Sequence, residues 1–161
     1  MLVDFEQLPN SSRIWIYQAD RSLSPVELQE IKEKLDTFIE SWTAHGAHLQ
    51  AGYDIKYKRF ITIGLDQEVA NATGCSIDAS VHFIQQLEKD YRINLLDKMN
   101  VSFKQGEFVA YKTLTDFKKM AKNRSVSPNT IVFNNLVTNK GEYLSNWEVP
   151  AKDSWHNRFL N

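Results

Sequence analysis

The chain has 161 residues, with 19 basic and 20 acidic side chains, a formal net charge of −1 and one cysteine. This length is typical of one medium domain, or of a domain with a smaller appendage, which buries roughly 70% of its unfolded surface without a metal or a disulfide. The balanced charge provides no overall field that would attract nucleic acid or anionic lipid. A single cysteine forms no intramolecular disulfide and favours a cytoplasmic location. We find no signal-peptide pattern at the amino terminus and no apolar run long enough for a membrane span.

The first strand and the first helix carry clear local signals. Residues 13–19, RIWIYQA, are rich in β-branched and aromatic side chains and predict a strand. The sequence Ser24-Pro25-Val26-Glu27 is a capping box with proline at the first helical position. One apolar face follows at helical spacing: Leu28, Ile31, Leu35, Phe38 and Trp42. We expect this helix to end near His45-Gly46, where the glycine can adopt a left-handed conformation.

A hairpin and a second helix come next. Residues 49–66 alternate with period two and predict two strands around a turn at Lys58-Arg59. The stretch Thr73-Gly74-Cys75-Ser76-Ile77-Asp78-Ala79-Ser80 predicts the start of a helix that runs to about Tyr91. Ser76 is the expected N-cap, which places Cys75 just outside the helix.

The order of elements predicts an α+β fold. Strand, helix, strand, strand and helix match a ferredoxin-like split β-α-β sandwich, and a fourth strand at about residues 100–103 would complete it. We expect residues 1–97 to form this domain and residues 98–161 to form a small α+β module packed on it, with an aromatic C-terminal tail. No flexible linker separates the two.

The second module is predicted from shorter signals. They indicate a hairpin around residues 104–107, a helix that begins at Thr113-Leu114-Thr115-Asp116, a strand over 130–134 and a short helix over about 141–147.

The candidate site depends on where the two helices meet. In a split β-α-β unit the first helix ends at the sheet edge where the second begins, so Trp42 and His45 should approach Cys75, Ser76 and Asp78. A helix C-terminus favours an imidazolium and a helix N-terminus favours a thiolate. This set could therefore be a catalytic Cys75 with His45 and an orienting Asp78, or a polar ligand pocket that includes Trp42 and Ser76. The simpler interpretation is that Cys75 is a small buried plug and that His45 caps carbonyl groups.

Metal and nucleic-acid binding have little support. His45, Cys75, Asp78 and His156 show no zinc-site spacing, so we expect no metal and no cofactor. The basic run from Lys104 to Arg124 has its apolar residues on the opposite, covered face, which predicts a solvated surface and no nucleic-acid partner.

The C-terminal aromatic residues leave two alternatives open. Trp147, Trp155, His156 and Phe159 either dock on the sheet or form an exposed patch that binds a partner. The partner could be a protein, a small molecule or a second copy of the chain in a homodimer. Asn134 and Asn135 follow a strand and either hold a turn or face a ligand.

Three stretches carry a resemblance to a known family: WTAHG at 42–46, GCSIDAS at 74–80 and WEVPAKDSWHNRFL at 147–160. Over nearly its full length the chain resembles a family of short bacterial proteins of uncharacterised function, often labelled "ABC transporter ATPase". The resemblance implies cytoplasmic residence and little about activity. A P-loop needs G-x-x-x-x-G-K-[ST], and the chain has no Gly-Lys dipeptide. The strand ITIGLD at 61–66 resembles the magnesium-holding strand of such ATPases but stands without that loop.

We therefore expect a non-enzymatic ligand-binding or protein-binding domain. The alternative is a small thiol-dependent enzyme or redox sensor that uses Cys75 with His45. ATP hydrolysis is not expected.

Overall fold

The computed structural model describes residues 1–160, which form a mixed α+β structure of four α-helices and several small antiparallel sheets. The α+β class is thus confirmed. The chain divides into two compact units. The first comprises Met1–Leu96 together with Thr138–Gly141, and the second comprises Asp97–Val137 together with the residues from Glu142 onward.

The first unit contains a three-stranded antiparallel sheet. Its strands are β1 (Arg13–Gln18), β4 (Ala51–Lys56) and β5 (Phe60–Leu65), in the order β1-β5-β4. Its helices are α1 (Pro25–Glu40) and α2 (Gly74–Tyr91). Two further strands, β2 (Thr43–Ala44) and β3 (Ala47–His48), pair only with each other. The predicted hairpin over residues 49–66 is confirmed by β4 and β5.

The core of the first unit lies between this sheet and the two helices. Leu28 and Phe38 of the apolar face predicted for α1 are half-buried. Ile31 and Leu35 of that face are fully covered, as is Ile39. They belong to one cluster with Ile61, Ile63 and Leu65 of β5 and with Ile84 and Leu87 of α2. Burial of each such side chain contributes about 1.5–3 kcal/mol, so this cluster fixes the helices on the sheet.

Helix α1 begins as predicted. The Ser24 hydroxyl accepts a hydrogen bond from the Glu27 amide at 3.1 Å, and the Glu27 carboxylate accepts one from the Ser24 amide at 2.9 Å. Pro25 occupies the first helical position, where its missing amide hydrogen costs nothing.

The predicted end of α1 is wrong. The helix ends at Glu40, and His45 and Gly46 instead form the two-residue turn between β2 and β3. Both have positive φ angles, 51° and 80°, as the type I′ form of a two-residue hairpin turn requires. Gly46 thus has the predicted left-handed conformation, but it lies in a hairpin turn and not at the end of a helix.

The predicted fourth strand exists but does not join the first sheet. Strand β6 (Val101–Gln105) pairs with β7 (Phe108–Lys112) and β8 (Ile131–Phe133) in a second sheet, ordered β7-β6-β8-β9 with β9 at Glu148–Pro150. At the outer edge of β1 the Ile14 amide instead donates to the Thr138 carbonyl at 3.0 Å. The ferredoxin-like arrangement is therefore not confirmed.

The second unit also contains helix α3 (Leu114–Lys122) and most of helix α4 (Lys140–Asn146). Helix α3 begins as predicted, because the Thr113 hydroxyl accepts from the Asp116 amide at 3.1 Å. The core of this unit is a cluster of Val101, Phe103, Phe117, Val126, Val132, Val149 and Ala151. Within residues 1–160 no helix is both long enough and apolar enough to span a membrane.

Candidate ligand-binding groove

A groove of about 880 Å³ lies in the first unit, where the chain leaves α1 and where α2 begins. We call it the Trp42 groove, and it is lined by Phe38, Ser41, Trp42, Thr43, His45, Thr73, Gly74, Cys75, Ser76 and Ala79. Ligand sites in proteins usually enclose about 300–1,000 Å³. The groove therefore has the size of a small-molecule site.

Trp42 connects the two walls of the groove. Its side chain is 3% exposed, and its indole Nε1 donates to the main-chain oxygen of Ser76 at 2.8 Å. The indole packs against Phe38 at 5.5 Å and against Trp15 at 6.1 Å between ring centroids. Phe38 in turn stacks on Phe83 of α2 at 4.5 Å. The aromatic floor is thus held from both helices.

The first turn of α2 forms the opposite wall. Its N-cap is Thr73, not Ser76 as predicted. The Thr73 hydroxyl accepts from the Ser76 amide at 3.2 Å, and the Ser76 hydroxyl accepts from the Thr73 amide at 2.7 Å. Serine thus takes the reciprocal position that Glu or Gln usually holds in a capping box. The correction moves Cys75 from outside the helix to its second residue.

Cys75 and His45 both line the groove, in settings that differ from the expected ones. Cys75 is exposed, so the interpretation of a buried plug is wrong. His45 is exposed on the β2–β3 turn, five residues beyond the end of α1. His45 therefore lies beyond the reach of the α1 macrodipole, because that effect is confined to the last turn.

Asp78 does not complete a catalytic set. It is exposed on the second turn of α2 and is not among the lining residues. The structure therefore brings together Trp42, His45, Cys75 and Ser76 and leaves Asp78 outside. Among residues 1–160 no group of three or more His, Cys, Asp or Glu side chains is arranged to hold a metal ion.

The groove is uncharged within an acidic surrounding. Among residues 1–160 no Asp, Glu, Lys or Arg lines it, although α1 carries a net charge of −3 and α2 a net charge of −2. Its rim offers the Thr43 hydroxyl and the His45 imidazole, whereas the Ser41 hydroxyl already donates to the carbonyl oxygens of Thr37 and Phe38 at 3.2 Å. The amides of Gly74 and Cys75 also lie there, in the helical turn whose N–H groups have no intrahelical acceptor. The rim is therefore rich in hydrogen-bond donors.

Asn134 and Asn135 hold a turn in the second unit. The Asn134 carboxamide oxygen accepts from the Leu136 amide at 3.2 Å, and that of Asn135 accepts from the Trp147 indole at 2.8 Å. Of the two predicted roles, the turn is the one that these contacts support.

The C-terminal aromatic residues are docked and do not form an exposed patch. Trp147 is 2% exposed and His156 is fully buried, while Trp155 and Phe159 are half-buried against the core of the second unit. The His156 ring stacks on Trp155 at 3.9 Å, and its Nδ1 lies 2.7 Å from the Ser154 hydroxyl. Burial lowers the pKa of His156 to about 4. Of the two predicted alternatives, docking is the one that these contacts support.

Several lining residues were missed by the sequence analysis. Phe38 lies four residues before Trp42 on the apolar face predicted from the sequence, a spacing that predicts contact between the two side chains. Thr73 lies three residues before Ser76, which is the spacing of a capping box. Thr43 and Ala79 have no comparable signal.

In comparisons with known proteins, no family model, no curated protein and no solved structure matches the chain. The fold and the groove define the class as an α+β protein with a small-molecule-sized, uncharged groove. The resemblance noted from the sequence stays a prediction.

Proposed function

We propose that the protein is a non-enzymatic binding protein and that the Trp42 groove takes a small molecule in which an apolar or aromatic part adjoins an anionic group. One observation carries this proposal. The groove combines an aromatic floor with an uncharged, donor-rich rim, although both helices that flank it are acidic.

The floor suits an aromatic ring. Phe38 and Trp42 are already held in a ring cluster, so a ligand ring would meet side chains that need little reordering. Aromatic pairs contribute about 0.5–1.5 kcal/mol beyond the area they bury. Pre-organised ring contacts would therefore provide the apolar part of the affinity.

The rim suits an anionic group. A helix N-terminus favours a nearby anion by about 0.3–1 kcal/mol, and the Thr43 hydroxyl adds a donor. Lining carboxylates would oppose such a ligand, and the described part of the chain places none in the groove. The acidic side chains elsewhere on α1 and α2 act through solvent, where salt screens charges beyond about 8–10 Å.

A thiol-dependent enzyme or redox sensor is the second candidate, because Cys75 is exposed in the same groove as His45. Nucleophilic catalysis also needs a group that orients the base. Asp78, the residue expected in that role, lies outside the groove. Binding without catalysis is therefore the better supported function. We further propose a cytoplasmic location and no ATPase activity, on the basis of the single cysteine and the missing P-loop.

We also retain the ferredoxin-like arrangement as a proposal for the first unit. Its support is the strand order β1-β5-β4 and the antiparallel bridge between Arg13 and Asn139 at the outer edge of β1. That edge is where the fourth strand of such a sheet would lie.

Filling the groove is expected to abolish binding. Ala79 is exposed and lines the groove, so Ala79→Phe places a ring in it without disturbing the core. Titration calorimetry with phenyl phosphate as the probe should show an affinity loss of at least about tenfold, or 1.4 kcal/mol. Asp78→Phe adds the same ring at the adjacent exposed position outside the groove, and it should bind the probe like the unmodified protein.

Two further titrations complete this test. Cys75→Ser should keep the affinity within about twofold, whereas a thiol-dependent site would lose its function. The anilinium ion, which has the same ring with a positive charge, should bind much more weakly than phenyl phosphate. Equal losses in Ala79→Phe and Asp78→Phe, or no binding of phenyl phosphate, would contradict the proposal.

A further inference from the structure

Phe108 is the most exposed large apolar side chain in residues 1–160, at 79%. It begins β7, directly after the turn formed by Gly106 and Glu107 at the tip of the β6–β7 hairpin. Gly106 has a φ of +61°, which the tight turn requires. The hairpin thus presents an aromatic ring at its tip, outside the cluster that forms the core of the second unit.

The chemistry of this tip matches the Trp42 groove. Glu107 is exposed and immediately precedes Phe108, so the hairpin tip carries both a carboxylate and an aromatic ring. The groove combines an aromatic floor with donors and no opposing carboxylate. The hairpin tip therefore has the two features that the proposed function assigns to a ligand.

The charges of the two units are also complementary. The first unit has 10 basic and 14 acidic side chains, a net charge of −4, and the second has 9 basic and 6 acidic side chains, a net charge of +3. A second unit that approaches the first unit of another copy is therefore attracted. Such attraction raises the rate of encounter and favours one orientation.

We infer that a second copy of the chain inserts its β6–β7 hairpin tip into the Trp42 groove, with Phe108 on the aromatic floor and Glu107 at the donor-rich rim. Self-association then occupies the binding site, and a free ligand competes with it. This inference rests on the proposed function of the groove, and it adds a partner that regulates access to it.

The size of the contact predicts weak, reversible association. One aromatic side chain buries about 150–250 Å², whereas stable interfaces bury about 1,200–2,000 Å² in total. The hairpin tip alone is too small for a permanent dimer. A weak contact is what competition by a small ligand requires.

Sedimentation velocity over a range of concentrations tests this. The unmodified protein should self-associate reversibly, phenyl phosphate should dissociate it, and Phe108→Ser should weaken association at least about tenfold. Because Phe108 is 79% exposed, its replacement removes little core packing. Val26→Ser, which changes an exposed apolar residue on α1, is the matched control and should associate normally.

Mixing two variants makes the test specific. Phe108→Ser keeps its groove but lacks the ring, and Ala79→Phe keeps its hairpin tip but has a filled groove. Neither should self-associate, whereas a mixture should form heterodimers because the tip of one fits the groove of the other. No heterodimer, or self-association that survives both substitutions, would overturn the inference.

The failure of this inference is distinguishable from failure of the proposed function. Phe108→Ser should still bind phenyl phosphate, because its groove is unchanged. A protein that stays monomeric at every concentration yet binds the probe refutes the self-association and leaves the function standing. A Phe108→Ser variant that fails to bind the probe refutes the function.

Discussion

Trp42→Ala is expected to lower the free energy of unfolding of the first unit by about 3–5 kcal/mol, the range for removal of a buried large aromatic side chain. The indole is 3% exposed and contacts Trp15 and Phe38. It also donates the hydrogen bond that joins the end of α1 to the Ser76 carbonyl of α2. Guanidinium unfolding followed by far-ultraviolet circular dichroism measures the loss.

Two variants separate packing from hydrogen bonding at Trp42. Trp42→Phe keeps most of the ring and removes the donor, so it should cost only about 1–3 kcal/mol. Val26→Ala changes an exposed position of the same helix and should stay within about 0.5 kcal/mol of the unmodified protein. If Trp42→Ala costs no more than Val26→Ala, then Trp42 does not connect the groove walls.

Acid is expected to destabilise the second unit through His156. Burial lowers the pKa of this histidine to about 4, while an unfolded histidine has a pKa of about 6.5. Between these values the unfolded chain binds a proton that the native chain does not. The contribution of neutral His156 to the free energy of unfolding is therefore fully present above pH 6.5. It is lost as the pH falls toward 4, by about 3 kcal/mol in total.

Variants at two histidines check this pH dependence. His156→Phe removes the titrating group and keeps an aromatic ring between Trp155 and Phe117, so its stability should vary less between pH 6.5 and 4. His82→Gln replaces an exposed histidine on α2 and should keep the full dependence. Identical pH profiles for His156→Phe and the unmodified protein would show that another group is responsible.

The helix starts could be predicted because their signals are local. Ser24 and Glu27 satisfy each other within three residues, and the Thr113 hydroxyl accepts from the Asp116 amide across the same spacing. The start of α2 contains two hydroxyl residues three apart, and either could serve as the N-cap. Choosing Ser76 over Thr73 moved the predicted start by three residues.

The failures concern long-range pairing. His45-Gly46 is compatible with a helix end and with a hairpin turn, and only the pairing of β2 with β3 decides between them. The segment of β6 has the composition of a strand, but composition does not specify whether it pairs with β1 or with β7 and β8. Such pairings depend on contacts between residues far apart in sequence.

The residues that line the groove were predicted better than the elements on which they lie. The approach of Trp42 and His45 to Cys75 and Ser76 was expected from the helix order alone, and these residues do line one groove. The prediction expected the two helix ends to meet directly. The β2–β3 turn intervenes at His45, and Cys75 is already inside α2.

The most direct measurement of the central claim is an amide chemical-shift map of ¹⁵N-labelled Phe108→Ser protein titrated with phenyl phosphate. The account predicts shifts concentrated at Thr43, His45, Gly74, Cys75 and Ser76, with saturation, and none of these in Ala79→Phe. Shifts spread over the surface, or confined to the second unit, would contradict a ligand site in the Trp42 groove.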